Sequence, residues 1–111
     1  MNDRIPNNPL AFIRACVNAG RIFWTYHINM RMAERNIPRR AVLESVDKYE
    51  IIEEYPDDKY LPSYLVWMSF KGDVLHVLFA VDTCEENVRV VTAYYPDVME
   101  WMDGMKRRRR T

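Results

Sequence analysis

Histidine and arginine move protons and hold phosphate at neutral pH, and they recur at regular spacing in YHINMRMAERNIPRR, residues 26–40. His27, Arg31 and Arg35 stand four residues apart, close to one helical turn, so on a helix they share one stripe. Met30, Ala33 and Ile37 flank that stripe on one side, Ile28 and Met32 on the other, and Asn29 and Asn36 fall at the opposite pole. Cations between apolar flanks suggest side chains directed into a cleft, with the asparagines toward solvent. A guanidinium in such a place needs an anion to offset its lost hydration. The plainer alternative is a solvated face whose arginines pair with Glu34, Asp47 or the acidic middle of the chain.

The second histidine, His76, sits in VLHVLFAVD, where both alternating faces are apolar, as in a central strand. A neutral core imidazole held by one hydrogen bond is the plain reading of it. Thr92 and Tyr94 share a parity on the next strand and reach the face of His76 if the register allows. Two imidazoles, two guanidiniums, a hydroxyl and a phenol, with neither a Gly-rich phosphate loop nor a carboxylate cluster suited to magnesium, suit metal-free RNA cleavage. In that reaction a base takes the proton of a ribose 2′-OH, the oxygen attacks the adjacent phosphorus, and an acid protonates the departing 5′-oxygen. Arginines stabilise the charge on the phosphorane. His27 and His76 then share acid and base duties, Arg31 and Arg35 hold the phosphate, Tyr94 orients or protonates, and Thr92 supports the site. Arg107 and Arg108, in the terminal KRRRR, add sequence-independent phosphate contacts or belong to a mobile solvated tail. No cofactor is implied, and the two cysteines and two histidines lack the close spacing of a metal site.

The elements that must position these groups change period halfway along the chain. LAFIRACVNAG reads as a short helix stopped by Gly20. RIFWT is brief, β-branched and aromatic, and Thr25 can N-cap a helix running to about Arg35, ended by Asn36 in a left-handed conformation. Pro38 fits a first helical position, and Ala41, Val42, Ser45, Val46 and Tyr49 give the next helix its buried stripe. YEIIEEYP, SYLVWMSF, VLHVLFAVD and NVRVVTAYYP are four strand candidates; KGD and TCEEN look like hairpin connections, so the last three form an antiparallel meander. YPDDKYLPS is a longer loop, DVMEWMDGM a last short helix on Asp97, and KRRRR a tail. Helices first and strands second predict an α+β fold, with N-terminal helices packed on a curved, mainly antiparallel four-stranded sheet. The expected organisation is an N-terminal helix extension over 1–21, one domain over 22–105 and a basic tail over 106–111.

With 111 residues and no net charge, the chain is one domain of ordinary globular composition. Its charge is uneven: eight Lys/Arg and five Asp/Glu in residues 1–50, three and eleven in 51–105, and five more positive charges in the last six. A uniformly basic nucleic-acid binder is excluded, a local basic patch is not. The longest apolar run, Val74 to Val81, is too short for a bilayer, and two unpaired thiols fit a cytoplasmic protein without a membrane association.

HINMRMAERNI, IIEEYPDDKYLPSYLVW, LHVLFAVD and VRVVTAYYPDVMEW together resemble the bacterial domain of unknown function 4258 group, which belongs with the RelE-like toxins. The similarity covers roughly residues 22–102, and several blocks in order are more specific than any one. It implies a RelE-like fold and the toxin of a type II toxin–antitoxin pair, an endoribonuclease whose expected partner is a small zinc-finger antitoxin of the YgiT or MqsA type. The pattern carries over to His27, Arg31, Arg35, His76, Thr92 and Tyr94. Asn36 stands where the group usually has glycine, and Ile28 replaces a small alanine. A non-catalytic RNA- or protein-binding module of the same fold is the alternative, separated by whether cleavage products form.

Overall fold

In the computed structural model, which describes residues 4–110, the chain begins with a helix whose limits are set by its own sequence. Asn8 caps α1 (Pro9–Asn18) by accepting the Ala11 N–H at 3.0 Å, Pro9 occupies the first turn where no N–H is needed, and Gly20 ends it at φ +75°. Strand β1 (Ile22–Trp24) follows, and then α2 (Tyr26–Glu34), N-capped by Thr25, whose Oγ1 accepts the Ile28 N–H at 3.1 Å. Asn36 adopts φ +57°, the left-handed stop expected of it. Pro38 precedes rather than begins α3 (Arg39–Leu43), since its ψ of 147° is extended. A single 3₁₀ turn, Val46–Lys48, completes this stretch.

The helices cover one face of a sheet built from β1, β2 (Glu50–Tyr55), β3 (Ser63–Phe70), β4 (Asp73–Asp82) and β5 (Asn87–Tyr94) in the order β1-β5-β4-β3-β2. β2 to β5 form the antiparallel meander, turned between β3 and β4 by Lys71 and Gly72, both at positive φ as a tight hairpin requires. The sheet has five strands, not four. The additional one, β1, pairs parallel to β5 and is too short for any alternation to show.

Leu75, Val77, Phe79 and Val81 of β4 pack under Ile13 and Val17 of α1, Ile28 and Met32 of α2, and Ala41 and Val42 of α3, all in one apolar cluster. Each of these side chains larger than alanine contributes about 1.5–3 kcal/mol on burial. Residues of the 1–21 extension thus share the core of the rest, while residues 1–3 and Thr111 of the expected tail lie outside the described residues. Arg14 fastens α1 to the next layer by donating from Nε to the Val46 carbonyl (3.1 Å) and from Nη2 to that of Tyr49 (3.2 Å). Tyr49 in turn donates its buried hydroxyl to the Val42 carbonyl at 2.7 Å.

The expected last helix on Asp97 is instead one turn leading into a small hairpin, β6 (Trp101–Met102) and β7 (Arg107–Arg108). Asp103, Gly104 and Met105 all have positive φ, a conformation no right-handed helix contains. The basic segment is therefore folded back on the domain through β7 rather than free. None of the described helices is long and apolar enough to cross a membrane.

Asn36→Ala forces an alanine into the left-handed region and should lower stability by about 1 kcal/mol, roughly 5 °C in Tm, whereas Asn36→Gly should not lower it. Thermal unfolding followed by circular dichroism measures both.

Candidate functional site

The helical stripe lies on the outside. α2 turns Ile28 and Met32 into the core, which leaves His27, Arg31 and Arg35 exposed. Arg31 forms a half-exposed ion pair with Glu34 at 3.8 Å, and Arg35 donates from Nη1 to the Ala93 carbonyl at 2.7 Å. Met30, expected beside a cleft, is 47% exposed, and Asn29, expected in solvent, is half-buried and accepts from Arg39 at 2.7 Å. His76 belongs to the opposite face of the sheet, outside the cluster under the helices. The two histidines therefore do not share a pocket. Within α2 only the flank carrying Ile28 and Met32 faces the sheet, while Ile37 joins the core from beyond the helix end, so the helix is rotated away from the expected orientation.

The structure does bring together His76, Thr92, Tyr94 and Arg108, on the face without helices. Strand register arranges this face in three rows. Glu50, Trp67, His76 and Tyr94 form the first, and Glu53, Leu65, Leu78 and Thr92 the second. Tyr55, Ser63, Ala80, Arg89 and Phe23 form the third, across all five strands. Two irregularities produce this alignment. A bulge between Ile51 and Glu53 moves Glu53 and Tyr55 onto the face of Glu50, and another between Leu78 and Phe79 and their partners brings Arg89 to the face of Thr92.

The β6–β7 hairpin roofs the first row. Trp101 is buried with its ring edge-on to His76 at 4.5 Å between centroids, and Trp67 donates its indole N–H to the Gly104 carbonyl at 2.8 Å. Lys106 reaches Glu50 at 2.7 Å and lies 4.3 Å over the Trp67 ring. Beneath this roof His76 is 0% exposed, and both ring nitrogens are engaged: Nε2 with the Met105 carbonyl at 2.6 Å, Nδ1 with the Tyr94 hydroxyl at 3.2 Å. A carbonyl only accepts, so Nε2 carries the proton, and neutral Nδ1 then accepts from Tyr94. Burial pushes the His76 pKa below its ordinary value, against the Met105 carbonyl and the Glu53 charge. Burial also raises the pKa of Tyr94.

The second row is open. Glu53, Tyr55, Asp58, Leu65, Leu78, Thr92, Tyr94 and Arg108 line a cleft of about 320 Å³. Arg108 grips Glu53 with two donors, Nε to Oε2 at 2.6 Å and Nη2 to Oε1 at 3.2 Å, and Tyr55 donates its hydroxyl to Glu53 Oε1. Burial works to raise the Glu53 pKa, but these bonds outweigh it and hold the carboxyl below its usual range. The bond to Glu53 raises the Tyr55 pKa in turn. Arg107, by contrast, points away to Asp103 at 2.9 Å, and with Met102, Arg108, Arg109 and Arg110 lines a neighbouring cleft of about 630 Å³. Glu53 and Tyr55 escape a reading of the sequence because a bulge inverts the parity of their strand. The only visible signal is the carboxylates in EIIEEY, a segment that otherwise reads as a strand edge.

The architecture is thus an α+β domain with helices on one sheet face and, on the other, a cleft lined in part by Arg108 and Glu53. The chain belongs to the family described as Domain of unknown function (DUF4258), which it matches over residues 24–95. That stretch contains His76, Thr92, Tyr94, Glu53 and Tyr55 and stops before the hairpin and Arg108. No curated protein and no solved structure matches the chain.

Because native His76 binds a proton less readily than the unfolded chain does, acid favours unfolding. Its contribution is present above the ordinary histidine value of 6.5 and is lost as pH falls through it toward the lower native value. The urea midpoint should fall between about pH 7.5 and pH 5.5, more steeply in wild type than in His76→Gln. Equal slopes in the two proteins would mean that His76 titrates alike folded and unfolded.

Proposed function

We propose that the open sheet face is the catalytic face of an RNA-cleaving toxin of RelE-like fold, which breaks the chain by 2′-OH attack. The observation that carries this reading is the convergence of Glu53, Tyr55, Thr92, Tyr94 and Arg108 on one cleft. Arg108 is the group for the scissile phosphate, since its guanidinium is half-exposed and held in place by Glu53. Tyr94 gives its own proton to Nδ1 of His76 and so turns oxygen lone pairs toward the cleft. It can take the 2′-OH proton while its own passes to Nδ1. The 2′-oxygen to phosphorus bond forms and the bond from phosphorus to the 5′-oxygen breaks, while the Tyr55 hydroxyl turns from Glu53 to protonate the leaving oxygen. Solvent then returns a proton to Tyr55 and takes the extra one from His76 through Tyr94. Glu53 keeps Tyr55 and Arg108 in register. His76 acts through Tyr94 and does not touch RNA. The products are a 2′,3′-cyclic phosphate and a free 5′-hydroxyl.

The toxin role, and a small zinc-finger antitoxin as partner, rest on the family resemblance rather than on the cleft. A second reading, a non-catalytic RNA-binding module, is favoured by one feature: no imidazole opens into the cleft, since His27 lies on the other layer and His76 is sealed.

Purified protein incubated with RNA and EDTA should yield fragments with cyclic phosphate ends, and a 2′-deoxy sugar at the cleaved position should block the reaction. Tyr94→Phe should slow cleavage about 10²- to 10⁴-fold, while His27→Ala and Arg31→Ala leave the rate unchanged. Salt-sensitive binding with no products from wild type would select the binding module instead.

A further inference from the structure

A second cleft, of about 470 Å³, adjoins the first along the third row, and Asp58 lines both. Leu61, Ala80 and Val91 give it an apolar lining, and Val90, whose side chain turns into the core beneath the helices, borders it. Tyr60, from the loop between β2 and β3, stands at its wall with 83% of its surface exposed, and Phe23 of β1, 55% exposed, extends the same face beside Arg89. An exposed tyrosine on a polar loop has no packing to explain it. Two cations accompany these rings: Lys59, whose ammonium lies 5.4 Å from the centre of the Tyr60 ring, and Arg89, held by Asp82 at 3.3 Å. An apolar lining, an exposed aromatic wall and a carboxylate acceptor suit a planar heterocycle that carries N–H donors, with cations nearby for a phosphate on either side.

From these features we infer that this cleft is a nucleobase subsite, which takes one unpaired base adjacent to the phosphate held by Arg108. The inference rests on the RNA reading above and specifies how the strand is gripped. The base stacks on Tyr60, and its amino or imino hydrogens donate to the Asp58 carboxylate. The continuity of the two clefts sets the order: the phosphodiester crosses the second row and the base next to it falls into the third. A base within a duplex has its N–H donors occupied and its faces stacked, so it cannot enter.

Fluorescence anisotropy with a labelled, non-cleavable 2′-O-methyl hexanucleotide tests this directly. Wild type should bind, Tyr60→Ala should weaken binding about tenfold, and Tyr60→Phe, which keeps the ring, should restore it. An abasic sugar walked along the hexanucleotide should reproduce the loss at one position, and at that position Tyr60→Ala should add nothing further. Because Tyr60 is almost fully exposed, its variants keep the fold. If no protein binds any hexanucleotide, the RNA reading and the subsite both fail. If wild type binds but Tyr60→Ala binds equally well and no abasic position matters, the subsite alone is overturned.

Discussion

An imidazole withdrawn from water must have a partner for each ring nitrogen, and this requirement at His76 organises the whole helix-free face of the sheet. One partner, Tyr94, is its neighbour across β4 and β5. The other is a main-chain carbonyl from Met105, twenty-nine residues away, which arrives only because the chain after β5 doubles back. An orphaned buried nitrogen costs about 1–3 kcal/mol, enough to bias where the hairpin rests. Once Met105 is seated, Trp101 lies against the ring, Lys106 reaches Glu50 and Arg108 reaches Glu53. A histidine that reads as ordinary core material thereby decides where the arginine beside the cleft stands.

The sheet contributes through its defects as much as its regularity. In an unbroken alternation Glu53 would face the helices and Arg89 would leave the face of Thr92. Two extra residues, one on β2 and one on β5, reverse those outcomes and set carboxylate, phenols and guanidiniums on one surface. The helical layer lies on the other side of the sheet from these groups. Its inward side chains complete the core, and its outward cations meet solvent, Glu34 or the end of β5.

Local physics explains what could be read beforehand. The caps at Thr25 and Gly20, the left-handed Asn36, the Lys71–Gly72 turn and the three-strand meander each follow from a few adjacent residues, and the structure contains all of them. Thr92 and Tyr94 share a face because parity within a strand is also a local property, whereas their meeting with His76 depends on the pairing of β4 with β5, which no local pattern shows. The rotation of α2 was not legible, since apolar residues flank its cations on both sides and only tertiary packing chooses between them. The DVMEWMDGM segment misled for a related reason: its apolar spacing suits a helix, yet burial of Trp101 against His76 and three positive φ angles make a hairpin. Glu53 and Tyr55 were hidden by a bulge, which leaves no mark in the pattern of a six-residue strand.

The short parallel strand β1 has a bearing on where this unit ends. Family membership extends from residue 24, yet Ile22 and Phe23 already pair with Val88 and Arg89, and the Arg21 carbonyl accepts the Val88 N–H at 3.0 Å. A fragment trimmed to the matched segment would strip β5 of its neighbour, turning an interior ladder into a bare margin of unpaired amides next to Val88 and Val90. The matched segment is thus shorter than the folded unit, which also takes in α1 on one side and the hairpin over His76 on the other.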